Sequence, residues 1–438
     1  MEILIKDCCV VPMTGRGEGD GWFRGCVGIS GNRIAMAQPG TECAGEFLAS
    51  HPGARVIDGR GKVLMPGLIN AHCHAPMTLM RGYADDIPLM RWLNDYIWPF
   101  EARLDRSDVE LGARLGIAEM LLGGVTTFVD MYWYEASVAR AVADTGIRAV
   151  VCPSFVDGNF ARFEEDVREL SGWLRDCGRL TMMVAPHAPY SCSKEHLLRG
   201  GEIAREHGCG INIHIAETTD EQTEIERRTG VSPVRYIDGL GLIDGRTLAV
   251  HGVWLSDDDI EILRRRGATV VHNPQSNMKI SSGAAPVAKL LERGVNVALG
   301  TDGPCSNNDL DMWEEMRSAA FLQKLSCGNP CVLPAFEVLR MATVNGARAI
   351  GLGDRLGRIE EGMLADVLLV DMRKPHLSPC NDVIANLVYC AKSSDVDCVV
   401  VDGRIVVENG RLCGTDVAAL CEAVARRTGE IKARCADR

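Results

Sequence analysis

Between residues 67 and 300 the chain alternates short apolar runs with stretches whose apolar residues recur every three or four positions. Apolar runs of this kind suit buried strands, and the helical period suits helices laid over them. The strands predicted are 67–71, 126–131, 149–153, 181–185, 210–215, 247–250, 269–272 and 296–300. The helices predicted around and between them include 107–122, 135–143, 163–177, 194–207, 220–229, 233–237, 257–266 and 286–292. Eight strands with intervening helices is the count of an α/β protein of the (β/α)8 TIM barrel type. A doubly wound sheet is the competitor, but eight largely apolar strands over roughly 235 residues fit the barrel better.

The flanks have a different texture. Residues 1–11, 25–30, 33–37 and 54–58 are short β-like pieces punctuated by Gly and Pro, with Gly31-Asn32 as a tight turn, and no helix of core length is expected before Pro66. After two further helices, 310–326 and 333–350, strand texture returns at 366–371, 395–401 and 404–408, with Asp402-Gly403 as a hairpin turn, and a last helix covers 415–433. Neither β-rich end is large. One small composite β-sandwich built from both ends is simpler than two marginal domains. The expected division is 1–65 for its first part, 66–359 for the barrel, and 360–438 for its second part with the terminal helix.

Composition narrows the function. A formal net charge of −12 over 438 residues leaves no basic excess to neutralise phosphates, which argues against generic nucleic-acid binding. The tight basic run Arg264-Arg265-Arg266 and the weaker group Arg373, Lys374 and His376 are short, follow acidic residues, and read as solvated surface. The eighteen cysteines are scattered without repeating CxxC pairs. With no secretion signal at Met1 and no apolar run of membrane-spanning length, they read as thiols filling small buried volumes in a reduced, cytoplasmic protein.

The chemistry lies at the strand ends. The stretch Pro66 to Pro76, PGLINAHCHAP, presents His72 and His74 two residues apart, on the same side of an extended chain. His187 follows the fourth predicted strand, His214 lies on the fifth with Glu217 three residues beyond, His251 ends the sixth, His272 and Asn273 the seventh, and Asp302 follows the eighth. In a barrel these ends converge on one mouth, where catalytic groups collect. Such a concentration, in a chain with only ten histidines, is hard to assign to packing. His72, His74, His214 and Asp302 offer three nitrogens and one carboxylate oxygen, a set suited to Zn²⁺, then Fe²⁺, and poorly suited to Ca²⁺ or Mg²⁺. A divalent ion there would activate water near neutrality. Glu217 is then placed to shuttle a proton, His251 to orient or deprotonate the water, and His187 to donate to a substrate ring nitrogen, while His272 reads as structural.

These motifs resemble the amidohydrolase superfamily, specifically its 5'-methylthioadenosine/S-adenosylhomocysteine deaminases. The resemblance spans nearly the whole chain, through PGLINAHCHAPMTLMRG at 66–82, WLNDYIWPFE at 92–101, GGVTTFVDMY at 123–132, HAPYSCS at 187–193, NIHIAETTDE at 212–221, VHGVWL at 250–255, HNPQSNMKISSG at 272–283, LGTDGPCSNNDLDMWEEMR at 299–317 and EGMLADVLLVD at 361–371. It implies one zinc per subunit on His72, His74, His214 and Asp302, with Asp302 also taking a proton from water. It further implies that Glu217 protonates the purine, His251 holds the attacking water, His187 contacts another ring nitrogen, Glu101 accepts from the ribose hydroxyls, Trp92 walls the base, and Arg162 reaches the amino-acid carboxylate of S-adenosylhomocysteine. Members acting on that substrate often carry a second arginine near Cys152-Pro153-Ser154, and none of these three residues supplies a guanidinium fork. Adenosine, 5'-methylthioadenosine and 5'-deoxyadenosine therefore stand equally open.

The expected function is hydrolytic deamination of an adenosine-type nucleoside by a metal-dependent aminohydrolase, with homo-oligomeric assembly implied by the family alone. Two alternatives remain at this point. One is a guanine or other heterocycle deaminase, or a triazine-type hydrolase. The other is an inactive metal-binding structural or regulatory subunit.

Overall fold

The computed structural model describes residues 1–15 and 21–436. Strands from both ends of the chain assemble into one nine-stranded sheet. Glu2–Val10 pairs antiparallel with Phe23–Ser30, which pairs in turn with Arg33–Pro39. The two ends meet at Lys62–Pro66, which runs parallel to Glu2–Val10 and antiparallel to Val367–Asp371. Val396–Val401 and Arg404–Glu408 extend the sheet beyond it. Ile3, Ile5, Val27 and Ile29 share one core with Val367, Leu369, Cys398 and Val400, so the two ends bury these apolar residues against each other. The predicted hairpin turn is present, with Asp402 and Gly403 both left-handed at φ 50° and 73°, as a type I′ turn requires.

The middle of the chain forms the parallel strands of the barrel. In order they are Leu68–Cys73, Val125–Tyr132, Arg148–Phe155, the interrupted pair Leu180–Met182 and Ala185–Pro186, then Asn212–Ile215, Leu248–His251, Thr269–His272 and Asn296–Leu299. Both seams between the two halves are bridged. Val184 pairs with Ile211, and Cys73 pairs with Asp302, where Asp302 N–H donates to His72 O at 3.0 Å. Side chains alternate along each strand. Val129, Met131, Val150, Cys152, Leu248 and Val250 pack within one cluster, while Phe128, Ala149, Val151 and Ala249 join the large cluster shared with the surrounding helices. At the start of the third strand, Arg148 donates to Asp366 at 2.8 and 3.1 Å and to Asp402 at 3.2 Å, a buried ion pair tying the barrel to the terminal sheet.

Several local features depart from the sequence reading. An eight-residue helix, Cys43–Ser50, precedes Pro66 and buries Cys43 and Phe47 against Leu4, Cys26 and Met36. Its apolar stripe is only two turns long, too short to stand out by period. The predicted helix 333–350 is broken into Ala335–Met341 and Val344–Ala349. The break frees Ala342 O to accept from Ile69 N–H of the first barrel strand at 2.8 Å. All eighteen thiols are free, nine of them buried and five exposed, so the packing role expected for cysteine covers about half. Among the described residues no helix is long and apolar enough to cross a membrane.

Candidate active site

The two histidines of the first strand do aim together: the rings of His72 and His74 lie 4.8 Å apart, edge to face. Ligand atoms of His72, His74, His214 and Asp302 all lie within 4.8 Å of one another. His74 directs Nδ1 to Met131 O at 2.6 Å and His214 directs Nδ1 to His187 O at 2.9 Å. A carbonyl can only accept, so each Nδ1 carries the proton and each Nε2 keeps a lone pair facing inward. His72 Nε2 and His214 Nε2 are 3.1 Å apart, and His74 Nε2 is 3.1 Å from Asp302 Oδ1. Three imidazole nitrogens and one carboxylate oxygen, with carbonyl partners behind His74 and His214, fit a divalent metal ion.

Electrostatics agree with that donor chemistry at His72, His214 and Asp302, whereas the Asp302 carboxylate lifts His74 to about 8 against the effect of its burial. Burial pushes His214 well below its ordinary pKa and takes His72 down to about 4, keeping both rings neutral. Burial alone would raise Asp302, but the adjoining His72 and His74 rings hold its carboxyl well below the usual range. Asp302 Oδ2 also accepts from Ser276 Oγ at 2.6 Å and Ser306 Oγ at 2.8 Å, which fixes the carboxylate and leaves Oδ1 towards the histidines. Gly300 makes this approach possible, because a Cβ there would sit 2.7 Å from His72 O.

The backbone at the mouth is strained where the polar groups sit. Ala216, His251 and Asp302 are all left-handed, at φ 54°, 73° and 62°. Non-glycine residues hold such angles only where the surroundings over-determine them, and they cluster at functional sites. His251 directs Nδ1 to Asn277 Oδ1 at 3.0 Å, leaving Nε2 to accept, 3.8 Å from Glu217 Oε1. Glu217 is 7% exposed, and burial raises its pKa, so its carboxyl holds a proton more readily than a surface glutamate.

Above the cluster opens a cavity with about 740 Å³ of empty space, counting its open mouth. His74, His187, His214, Glu217, His251 and Asp302 line its floor. The connection after the first strand supplies a wall of Trp92, Leu93, Ile97, Trp98 and Glu101. Trp92 is anchored by its indole N–H to Ala84 O at 2.9 Å. Burial pushes Glu101 up to about 7, opposed by the nearby Tyr132 and Trp133 side chains. The Tyr132 hydroxyl is itself buried without a hydrogen-bond partner. His187 exchanges a hydrogen bond with Ser191 Oγ at 2.9 Å, and burial lowers it to about 4.

One expected residue stands apart. Arg162 is not among the residues lining the cavity, and its guanidinium lies over the Tyr134 ring, 4.9 Å from the centroid. His272, expected to be structural, is fully buried with neither ring nitrogen hydrogen-bonded and does not line the cavity. The sequence reading missed Ser276, Asn277, Ser306 and Glu221, which orient the polar groups from behind. Their only signal was position inside the motifs at 272–283, 299–317 and 212–221.

Comparison with known proteins places this geometry. The amidohydrolase family matches residues 63–406. The chain is 45% identical to a 5-methylthioadenosine/S-adenosylhomocysteine deaminase of Moorella thermoacetica over 97% of this chain and 99% of that one. It is 45% identical to a 5'-deoxyadenosine deaminase of Methanothermobacter thermautotrophicus, covering 90% and 92%. A crystal structure of an adenosine deaminase from Xanthomonas campestris with bound zinc superposes with a TM-score of 0.92 at 35% identity, over 98% of each chain. With that match spanning barrel and terminal strands alike, the chain belongs to the amidohydrolase family.

Proposed function

We propose that this protein is a hydrolytic deaminase of adenosine-type nucleosides, converting the 6-amino purine and water to the inosine analogue and ammonia. The observation that carries the reading is one cavity holding a proton-handling pair, Glu217 and His251 at 3.8 Å, beside the His/Asp cluster and facing a wall that bears the buried Glu101. The names of the relatives at 45% identity point the same way.

Held by His72, His74, His214 and Asp302, a zinc ion would lower the pKa of water and polarise the reacting centre. Asp302 accepts a proton from the attacking water, and His251 orients that water through Nε2. Glu217 carries a proton to the purine ring nitrogen beside C6 and then to the departing amine, a role suited to a carboxyl whose pKa burial has raised. His187 contacts a second ring nitrogen, Trp92 packs on the base, and Glu101 accepts from the ribose hydroxyls. A free base gives Glu101 nothing to hold, which favours nucleosides over guanine. With Arg162 stacked on Tyr134 outside the cavity, an uncharged 5' substituent suits the site better than an amino-acid tail. The proposal extends to a cytoplasmic homo-oligomer, on family resemblance.

Ammonia release from adenosine, 5'-methylthioadenosine, 5'-deoxyadenosine, S-adenosylhomocysteine and guanine tests the reading. Turnover of the nucleosides is expected, with the uncharged 5' ends preferred. Turnover of guanine alone would sink it.

A further inference from the structure

The end of the fifth barrel strand is braced by a carboxylate with no role in the chemistry above. Glu221 sits in the first turn of the helix Thr219–Thr229, is 3% exposed, and accepts from two consecutive backbone N–H groups: Ala216 at 3.0 Å through Oε1 and Glu217 at 2.8 Å through Oε2. The helix is capped in the ordinary way, with Thr218 Oγ1 accepting from Glu221 N–H at 3.2 Å. In the common capping box a glutamate at this position returns to the N-cap N–H. Here both carboxylate oxygens are instead engaged one and two residues further back, on the left-handed Ala216 and on Glu217 itself.

That turn also joins the two proton-handling residues. Ala216 O accepts from Val253 and Trp254 N–H at 2.9 Å each, and Ile215 O accepts from Gly252 N–H at 3.2 Å. These bonds stitch the segment carrying Glu217 to the residues immediately after His251. The strained Ala216 conformation, which points the chain from His214 back towards Glu217, therefore has Glu221 as the acceptor for its own N–H and the next.

We propose that Glu221 is a positioning residue: by clamping the Ala216 and Glu217 backbone N–H groups it holds the Glu217 carboxyl at its 3.8 Å separation from His251, on the proton-transfer path. The proposal rests on the reading of Glu217 as proton shuttle. An ordinary helix cap would contribute only to stability. A clamp on the shuttle acts on turnover, and most strongly where the leaving group must be protonated.

The test uses the metal-loaded full chain with two substrates, adenosine and 6-chloropurine riboside, whose chloride departs without a proton. Glu221→Gln keeps the side-chain shape but turns an amide NH2 against one backbone N–H. It is expected to lower kcat for adenosine by about ten- to a hundredfold, with KM within about twofold and metal content unchanged, and to lose less on the chloro compound. Thr218→Ala removes the cap hydrogen bond but leaves the clamp, and is expected to lower thermal stability with kcat retained. If Glu221→Gln yields no folded protein, Glu221→Asp, which keeps the carboxyl group and shortens the reach, is read by the same ratio of the two substrates. An unchanged kcat, an equal loss on both substrates, or an equal loss in Thr218→Ala overturns the proposal. Absence of any nucleoside turnover by the unaltered enzyme would instead remove the proposed function beneath it.

Discussion

The floor and the wall of the cavity are made in different ways. The floor is assembled from the ends of separate strands: His72 and His74 from the first, His214 from the fifth, His251 from the sixth, and Asp302 just past the eighth. His74, His214, His251 and Asp302 are each fixed from behind by a carbonyl, a hydroxyl or an amide, while His72 is held by burial alone. One side of the wall comes from a single connection, where Leu89–Trp92, a π-helical turn Leu93–Ile97 and Trp98–Glu101 follow one another. Moving a floor residue means moving a strand of the barrel. A wall residue can change with its connection alone. On the proposed function, reaction type belongs to the sheet, and substrate choice in part to the segment between the first strand and the helix Arg106–Leu122.

The comparison predicts effects of decreasing size from floor to rim. His214→Ala removes one of four donors, and the expected result is loss of stoichiometric metal together with activity, read by metal content and ammonia release on the same sample. Retained metal and turnover would separate the cluster from the reaction. Glu101→Gln, on the wall, weakens hydrogen bonds to a charged acceptor worth about 1.5–3 kcal/mol. KM for nucleosides should then rise on the order of ten- to a hundredfold, with kcat and metal content nearly unchanged.

The same residue gives the wall a pH signature. Burial raises Glu101 from an ordinary 4.5 to about 7, so below about 7 it holds a proton and would accept poorly from the ribose hydroxyls proposed for it. The value of kcat/KM for nucleosides should fall on the acid side of 7, and Glu101→Gln should lose that limb. The stability linkage has the opposite sense. A carboxyl whose folded pKa is raised favours the fold fully below 4.5, and that contribution is lost as pH rises through about 7. At the rim, Arg162→Ala gives up the stacking on Tyr134, worth about 0.5–1 kcal/mol of stability, as thermal denaturation would show. A selective loss of S-adenosylhomocysteine turnover in that variant would bring the arginine into the cavity after all.

The floor was the legible part. Side chains two apart on a strand share a face, so His72 and His74 announce a common target, and an apolar run ending in His or Asp places its polar residue at the mouth. The wall was not legible this way. Residues 89–101 pass through three short helical segments of two geometries, α, π and α again, so no single period marks them, and Trp92 and Glu101 were expected only from resemblance. Arg162 shows the limit of that route, because a motif position does not say which way an exposed guanidinium turns. Ser276, Ser306 and Glu221 escaped for another reason. Each acts through a contact formed only when the chain is folded, and short polar residues or a helix-start glutamate look ordinary in sequence.

The central claim is that the cluster and Glu217 act together but do separate things. Glu217→Gln, with metal content and ammonia release from adenosine measured on one preparation, tests it most directly. Loss of the proton shuttle should lower kcat by about 10²- to 10⁴-fold while metal stays bound at one ion per chain. Bound metal with undiminished ammonia release would contradict the account.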